Sequence, residues 1–184
     1  MLFYTYSVTG PKIVKEALPD AMTATWVNLA ALIVLMLIQP IGGLVSDVVG
    51  RKPVCIFFAV GGMAYTYPLV TYLPSCDSAI LSFAMLSFSF VILTGYTSIT
   101  ALIKAELFPS HIRALGVGIG HAIANTAVGG TAPMFFQWAQ TNDFVPWFIA
   151  YAIFVTGISL FVYVVFLRNK SETYLDREQG HAFV

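Results

Sequence analysis

The charged residues of this chain cut it into long neutral stretches. Between Asp20 and Asp47 lie 26 consecutive residues without Asp, Glu, Lys or Arg; 24 separate Lys52 from Asp77, 26 separate Asp77 from Lys104, 29 separate Arg113 from Asp143 and 24 separate Asp143 from Arg168. An α-helix advances about 1.5 Å per residue, so about 20 apolar residues cross the roughly 30 Å hydrocarbon core of a bilayer. Each stretch is long enough for one crossing. With 58% hydrophobic residues, 10% charged residues and a mean hydropathy of +0.82, the 184-residue chain lacks the charged surface of a water-soluble domain.

Inside lipid every unpaired peptide group costs several kcal/mol, which leaves helices or a closed β-barrel as the spanning forms. Barrel strands alternate apolar and polar residues over about ten positions. The stretches Leu29 to Ile38 and Ile158 to Leu167 are too continuously apolar for that. The expected fold is therefore an all-α membrane protein with helices near 24–45, 53–73, 79–101, 114–140 and 146–167. Met1 to Val8 is apolar and aromatic, but Gly10, Pro11 and Lys12 are expected to stop it after about ten residues, too few for a crossing. Residues 1–10 thus read as the end of a helix whose beginning is missing, residues 11–167 as a body of five complete helices, and residues 168–184 as a polar tail.

Basic residues alternate between loops. Arg51 and Lys52 lie in one connection, Lys104 and Arg113 bracket another, and Arg168, Lys170 and Arg177 follow the last helix; Lys12 and Lys15 are the two on the opposite side. Seven against two places the first group, and the carboxyl terminus, in the cytoplasm by the positive-inside rule. Formal net charge is zero and the basic residues form no stripe, which removes the electrostatic case for nucleic acid as a partner. Cys55 and Cys76 are expected at opposite ends of one helix, too far apart for a disulfide, and hence as two free thiols. No Cys/His ligand cluster, nucleotide-binding loop or spaced carboxylate pair suggests a metal, a cofactor or catalysis.

Two loop segments carry the sharper signals. In Gly43-Leu44-Val45-Ser46-Asp47-Val48-Val49-Gly50-Arg51-Lys52, Gly43 would permit close helix approach, Asp47 would face a neighbouring helix end, Gly50 would allow a tight turn and the basic pair would mark the cytoplasmic face. In Leu102-Ile103-Lys104-Ala105-Glu106-Leu107-Phe108-Pro109, followed by Arg113-Ala114-Leu115-Gly116-Val117-Gly118, Pro109 would redirect the chain, and Glu106 and Arg113 could pair across the connection. Beyond it Gly116 and Gly120 share a helical face suited to close packing, while Gly118, Gly129, Gly130 and Pro133 permit bending. A structural alternative stands beside each: a plain turn with a topology-setting basic pair, and an ordinary solvated loop.

Both segments resemble the cytoplasmic loops of the major facilitator superfamily, the second those of its metabolite:proton symporter family. The likeness extends through Gly95-Tyr96-Thr97-Ser98-Ile99, Ala122-Ile123-Ala124-Asn125 and Leu35-Met36-Leu37-Ile38-Gln39-Pro40, and covers Phe3 to about Leu167. It implies the carboxyl-terminal half of a twelve-helix secondary transporter, five complete helices plus the end of a sixth, with a substrate site near the midplane at the interface of the two halves. The implied function is symport of a small dicarboxylate such as 2-oxoglutarate with protons across a bacterial inner membrane, the implied partners being the lipid bilayer, the organic anion, the proton and a missing amino-terminal half. Carriers of citrate, shikimate or proline and betaine remain open as alternatives, as does a small multi-span interaction protein without transport.

The candidate route is drawn from intramembrane polar groups. His121 is the sole titratable group well inside an expected span, and Asn125 follows it by one turn on the same face. The related motif has an aromatic residue at the position of His121, so the resemblance assigns His121 no role. Asn28 and Gln39 are eleven residues apart and face alike, and Tyr96 and Thr100 offer hydroxyl groups before Lys104. Each is equally readable as helix-to-helix glue. Lys104 looks cytoplasmic and no basic residue sits within a span, so the main anion-binding charges are expected on the missing half.

Overall fold

The computed structural model describes residues 1–106 and 108–167; the expected polar tail of residues 168–184 lies outside them. Among the described residues the elements are all helical. They are α1 (Leu2–Tyr4), a π-helical turn (Thr5–Thr9), α2 (Gly10–Ala17), α3 (Ala21–Val49), α4 (Arg51–Tyr72) ending in a 3-10 turn (Leu73–Ser75), α5 (Ala79–Thr97), α6 (Thr100–Glu106), α7 (Arg113–Ala124), a second π turn (Asn125–Gly129), α8 (Thr131–Thr141) and α9 (Val145–Phe166).

Four helical stretches are long and apolar enough to cross a membrane: Ala21–Val49, Arg51–Ser75, Ala79–Glu106 and Val145–Phe166. The fifth expected crossing, 114–140, is built from three successive pieces, α7, the π turn and α8. Gly129 and Gly130 weaken the winding there, and Pro133 cannot supply the N–H that an α-helix would direct to the Gly129 carbonyl. The chain bonds across five residues instead, Gly130 N to Asn125 O at 2.7 Å.

The expected stop at Gly10-Pro11-Lys12 is corrected by the structure. Pro11 likewise removes a donor, for the Ser7 carbonyl, yet helical winding passes through it because the preceding turn is π-helical and the Gly10 N–H bonds to Thr5 O. The first helical run therefore reaches Ala17 and ends at Leu18, just before Pro19. Asp20 then caps α3, its two carboxylate oxygens accepting from Met22 N (3.2 Å) and Thr23 N (2.9 Å).

Helices α4, α5 and α9 and the first helical run share the main core. Tyr6 Oη, fully buried, lies 3.0 Å from both the Gly62 carbonyl and Thr66 Oγ1, pinning the first π turn to α4. Tyr65 Oη donates to Met85 O at 2.9 Å and joins α4 to α5. Around Phe135, Phe136, Phe148 and Tyr151 ring centroids stand 5.0–5.9 Å apart and lock α8 onto α9. By contrast α3 buries only Ala24, Val27, Asn28, Ala31 and Ser46 of its 29 residues, and α7 buries none.

Candidate functional site

The sharp turn in the first loop motif is made at Gly50, whose φ of 102° is a backbone conformation that L-residues rarely adopt. It closes α3, with Gly50 N donating to Ser46 O at 3.0 Å, and opens α4, so Arg51 and Lys52 occupy the first turn of α4. Each finds a distant partner. Lys52 Nζ donates to the Val164 carbonyl at 2.8 Å, placing an ammonium on the last turn of α9, at the negative end of its dipole. Arg51 forms an ion pair with Glu106 at the end of α6; the two side chains are 17% and 8% exposed. Asp47 lies exposed in the last turn of α3.

Glu106 thus has a different partner from the one expected. Sequence proximity suggested Arg113, whereas the carboxylate meets Arg51 from the other loop motif, and Arg113 Nε donates to Phe108 O at 3.2 Å. Helix packing thus brings together a cation and an anion that are far apart in sequence. Pro109 helps shape the turn, its carbonyl accepting from Ile112 N at 3.2 Å.

The glycine expectations divide. A Cβ added at Gly43 or Gly120 would have no neighbour within 4 Å among the described residues, so neither mediates close packing within this chain. The close approach belongs to Gly42, where a Cβ would stand 2.5 Å from Thr94 Cγ2 and 2.9 Å from Ser98 Oγ; this is where α3 and α5 cross. A Cβ at Gly116 would meet the Phe108 ring at 2.6 Å, one at Gly129 would strike the Tyr4 ring, and one at Gly130 would lie 3.2 Å from the Thr126 carbonyl. Gly42 was missed because it borders a motif glycine and nothing in the local sequence distinguishes the two.

The polar residues of the expected route are mostly engaged in tying helices together. Asn28 Nδ2 donates to the Pro11 carbonyl at 3.1 Å, and Gln39 Nε2 donates to Thr97 Oγ1 at 2.8 Å, so the two bind different neighbours. Tyr96 stacks on Phe58 with centroids 5.1 Å apart. Tyr96, Thr100 and Lys104 join Val162, Tyr163, Phe166 and Leu167 in lining a half-open cavity of about 240 Å³. Thr100 Oγ1 is itself buried, without a hydrogen-bond partner among the described residues.

His121 and Asn125 do not act as a pair. Asn125 opens the second π turn and its carbonyl accepts the Gly130 N–H, whereas the His121 ring meets Lys104, with Nζ 2.8 Å from Nδ1. His121 stands eight residues along α7 from Arg113, about 12 Å of helix. The Lys104 ammonium therefore reaches well inward from the loop position that its sequence neighbourhood suggested. Cys55 and Cys76 are both free and buried.

The family profile described as "Sugar (and other) transporter" matches residues 3–178. An alpha-ketoglutarate permease of Escherichia coli (strain K12) is 38% identical over 133 residues, covering 72% of this chain and 31% of the relative. A citrate-proton symporter of Klebsiella pneumoniae is 26% identical over 72% of this chain and 30% of the relative, and a glycine betaine/proline/ectoine/pipecolic acid transporter of Dickeya dadantii (strain 3937) is 28% identical over 77% and 28%. The chain spans less than a third of the length of each of these relatives. No solved structure gives a significant match. A family match running almost from end to end, over helices of this length and apolarity, makes the chain a member of the sugar (and other) transporter family within the major facilitator superfamily.

Proposed function

We propose that the chain forms the carboxyl-terminal half of a proton-coupled carrier of small organic anions, with a dicarboxylate such as 2-oxoglutarate as substrate. The observation that carries the reading is the 38% identity to a permease for that dicarboxylate, against 26–28% for the citrate and betaine/proline carriers cited above. The membrane is the bacterial inner membrane, with Arg51, Lys52, Lys104 and the carboxyl terminus on the cytoplasmic side.

In this reading the partner is an amino-terminal half. Two features support it: the matched length is under a third of each relative, and α3 and α7 leave their apolar flanks open, Trp26, Ile33, Met36 and Leu115 among them. The Arg51–Glu106 pair and the Lys52 contact with α9 serve as a cytoplasmic latch, closed when α4, α6 and α9 converge and open when they part. Carriage breaks no covalent bond; linked binding of proton and anion shifts the balance between outward-open and inward-open forms. Gly50 and Pro109 shape the turns beside that latch, and Asp47 lies in the last turn of α3 just before it.

The test is uptake of radiolabelled 2-oxoglutarate into vesicles under an inward proton gradient. The chain alone is expected to be inactive, and co-expression with the amino-terminal half of the Escherichia coli permease to confer uptake that citrate, shikimate and proline compete with poorly. Equal competition by citrate or proline would reassign the substrate. Uptake by the chain alone would remove the need for a partner half.

A further inference from the structure

We propose that Lys104 and His121 form a proton-linked binding site for one carboxylate group of the transported anion. The proposal rests on the anion-carrier reading above and adds to it the site where proton and anion meet on this chain.

Lys104 Nζ stands 2.8 Å from His121 Nδ1. An ammonium has no lone pair, so with Lys104 charged the shared hydrogen belongs to lysine, Nδ1 is the acceptor, and the imidazole is neutral with its own proton on Nε2. The contact is available to a ligand because His121 is exposed and α7 buries no residue. A carboxylate can approach from the open flank. Lys104 also borders the cavity lined by Tyr96, Tyr163 and Phe166, so the pair adjoins open space on this chain.

Proton uptake at Nδ1 changes what this pair can bind. The acceptor disappears, an ammonium and an imidazolium are left side by side, and the arrangement holds together only if an anion accepts from both. A carboxylate has the two oxygens to do so. Loss of the proton returns Nδ1 to Lys104, which withdraws one donor and one charge from the ligand. Proton and carboxylate therefore favour each other's binding by the same factor, as linkage requires.

The other ionisable groups nearby do not replace this pair. Glu106 on α6 is engaged by Arg51, and Arg113 at the head of α7 donates to Phe108 O. His111 lies in the turn before α7, and the π turn and α8 that continue the helix contain no Asp, Glu, Lys, Arg or His. Among the described residues Lys104 is thus the ionisable partner of the His121 ring.

The experiment uses the full 184-residue chain in detergent micelles with 2-oxoglutarate as probe. Titration calorimetry at about pH 5.5 and about pH 8 brackets the histidine range. Binding about tenfold tighter at the lower pH is expected, a typical size for two-site coupling. In His121→Gln the affinity should no longer depend on pH, and in Lys104→Met binding should fall at both values. Imidazole nitrogen NMR of the unmodified protein supplies a readout that needs no variant. At a fixed pH near 6.5, adding 2-oxoglutarate should raise the imidazolium fraction of His121 and leave His111 unchanged. Equal affinity at the two pH values, or a His121 signal indifferent to the ligand, overturns the proposal. Failed uptake by the co-expressed halves with this binding intact strikes the carrier reading alone.

Discussion

Glu106 and Arg51, 55 positions apart in the chain, meet as an ion pair that joins the end of α6 to the start of α4. Glu106 is the buried carboxylate among the described residues, so its charge is tolerated because the guanidinium is there.

Replacing Glu106 by Gln leaves that guanidinium poorly compensated. Removing one member of a buried pair costs about 3–5 kcal/mol, and because Arg51 keeps some contact with solvent the expected loss is about 1–3 kcal/mol. Arg51→Leu combined with Glu106→Gln should recover part of it. Denaturation midpoints of the two single variants and the double variant in micelles form the cycle, and strictly additive effects would refute the coupling.

Gly42 and Gly43 are adjacent yet should respond oppositely to a methyl group. Gly42→Ala drives a carbon into Thr94 and Ser98 and should cost about 1–3 kcal/mol. Gly43→Ala meets open space and gains helix propensity, so a change within about 1 kcal/mol is expected. Equal thermal midpoints for the two variants would place the crossing of α3 and α5 elsewhere.

Tyr6→Phe removes one buried hydroxyl but leaves the Gly62 carbonyl bonded to Thr66 Oγ1 at 2.7 Å. The loss should therefore be about 1 kcal/mol, in the range measured for hydrogen bonds between membrane helices. Adding Thr66→Val to Tyr6→Phe strips the second side-chain donor as well and should cost no less. A midpoint in Tyr6→Phe that matches the unmodified protein would show that the bond contributes nothing net.

The hydroxyl of Thr23, then the backbone N–H groups of Thr23 and Met22, hold the Asp20 carboxyl below its ordinary value. A group with a depressed folded value contributes stability above its unfolded value of about 3.9, and loses it as pH falls through the folded one. Asp20→Ala should consequently lower the thermal midpoint at neutral pH, and the gap to the unmodified protein should close once the medium is acidic enough to protonate Asp20. Asp20→Asn should retain part of the cap. A gap that stays constant with pH would mean that the carboxylate charge is not what stabilises α3.

The spanning helices were legible because lipid imposes its demand on every residue of a span, and a missing charge can be counted. Partnerships between helices were not. Glu106 meeting Arg51, and Gly42 rather than Gly43 at the crossing, depend on how neighbouring helices are rotated, which windows of local sequence do not encode. Pro11 misled because its missing donor normally ends a helix, and the π turn that accommodates it has no sequence signature of its own. Sequence spacing pairs His121 with Asn125, whereas its ring meets Lys104. The long lysine stem that brings Lys104 to its ring makes loop position a poor guide to where an ammonium sits.

The two π turns, Thr5–Thr9 and Asn125–Gly129, each hold one residue beyond what the ordinary winding requires. Removing one residue from Asn125–Gly129 would let the backbone relax to four-residue spacing while Phe135 and Phe136 still point at Phe148. The same deletion within α8 would swing everything after it by about 100° and pull the aromatic contacts apart. Length variation of a single amino acid is therefore absorbed at these two places and penalised on either side of them.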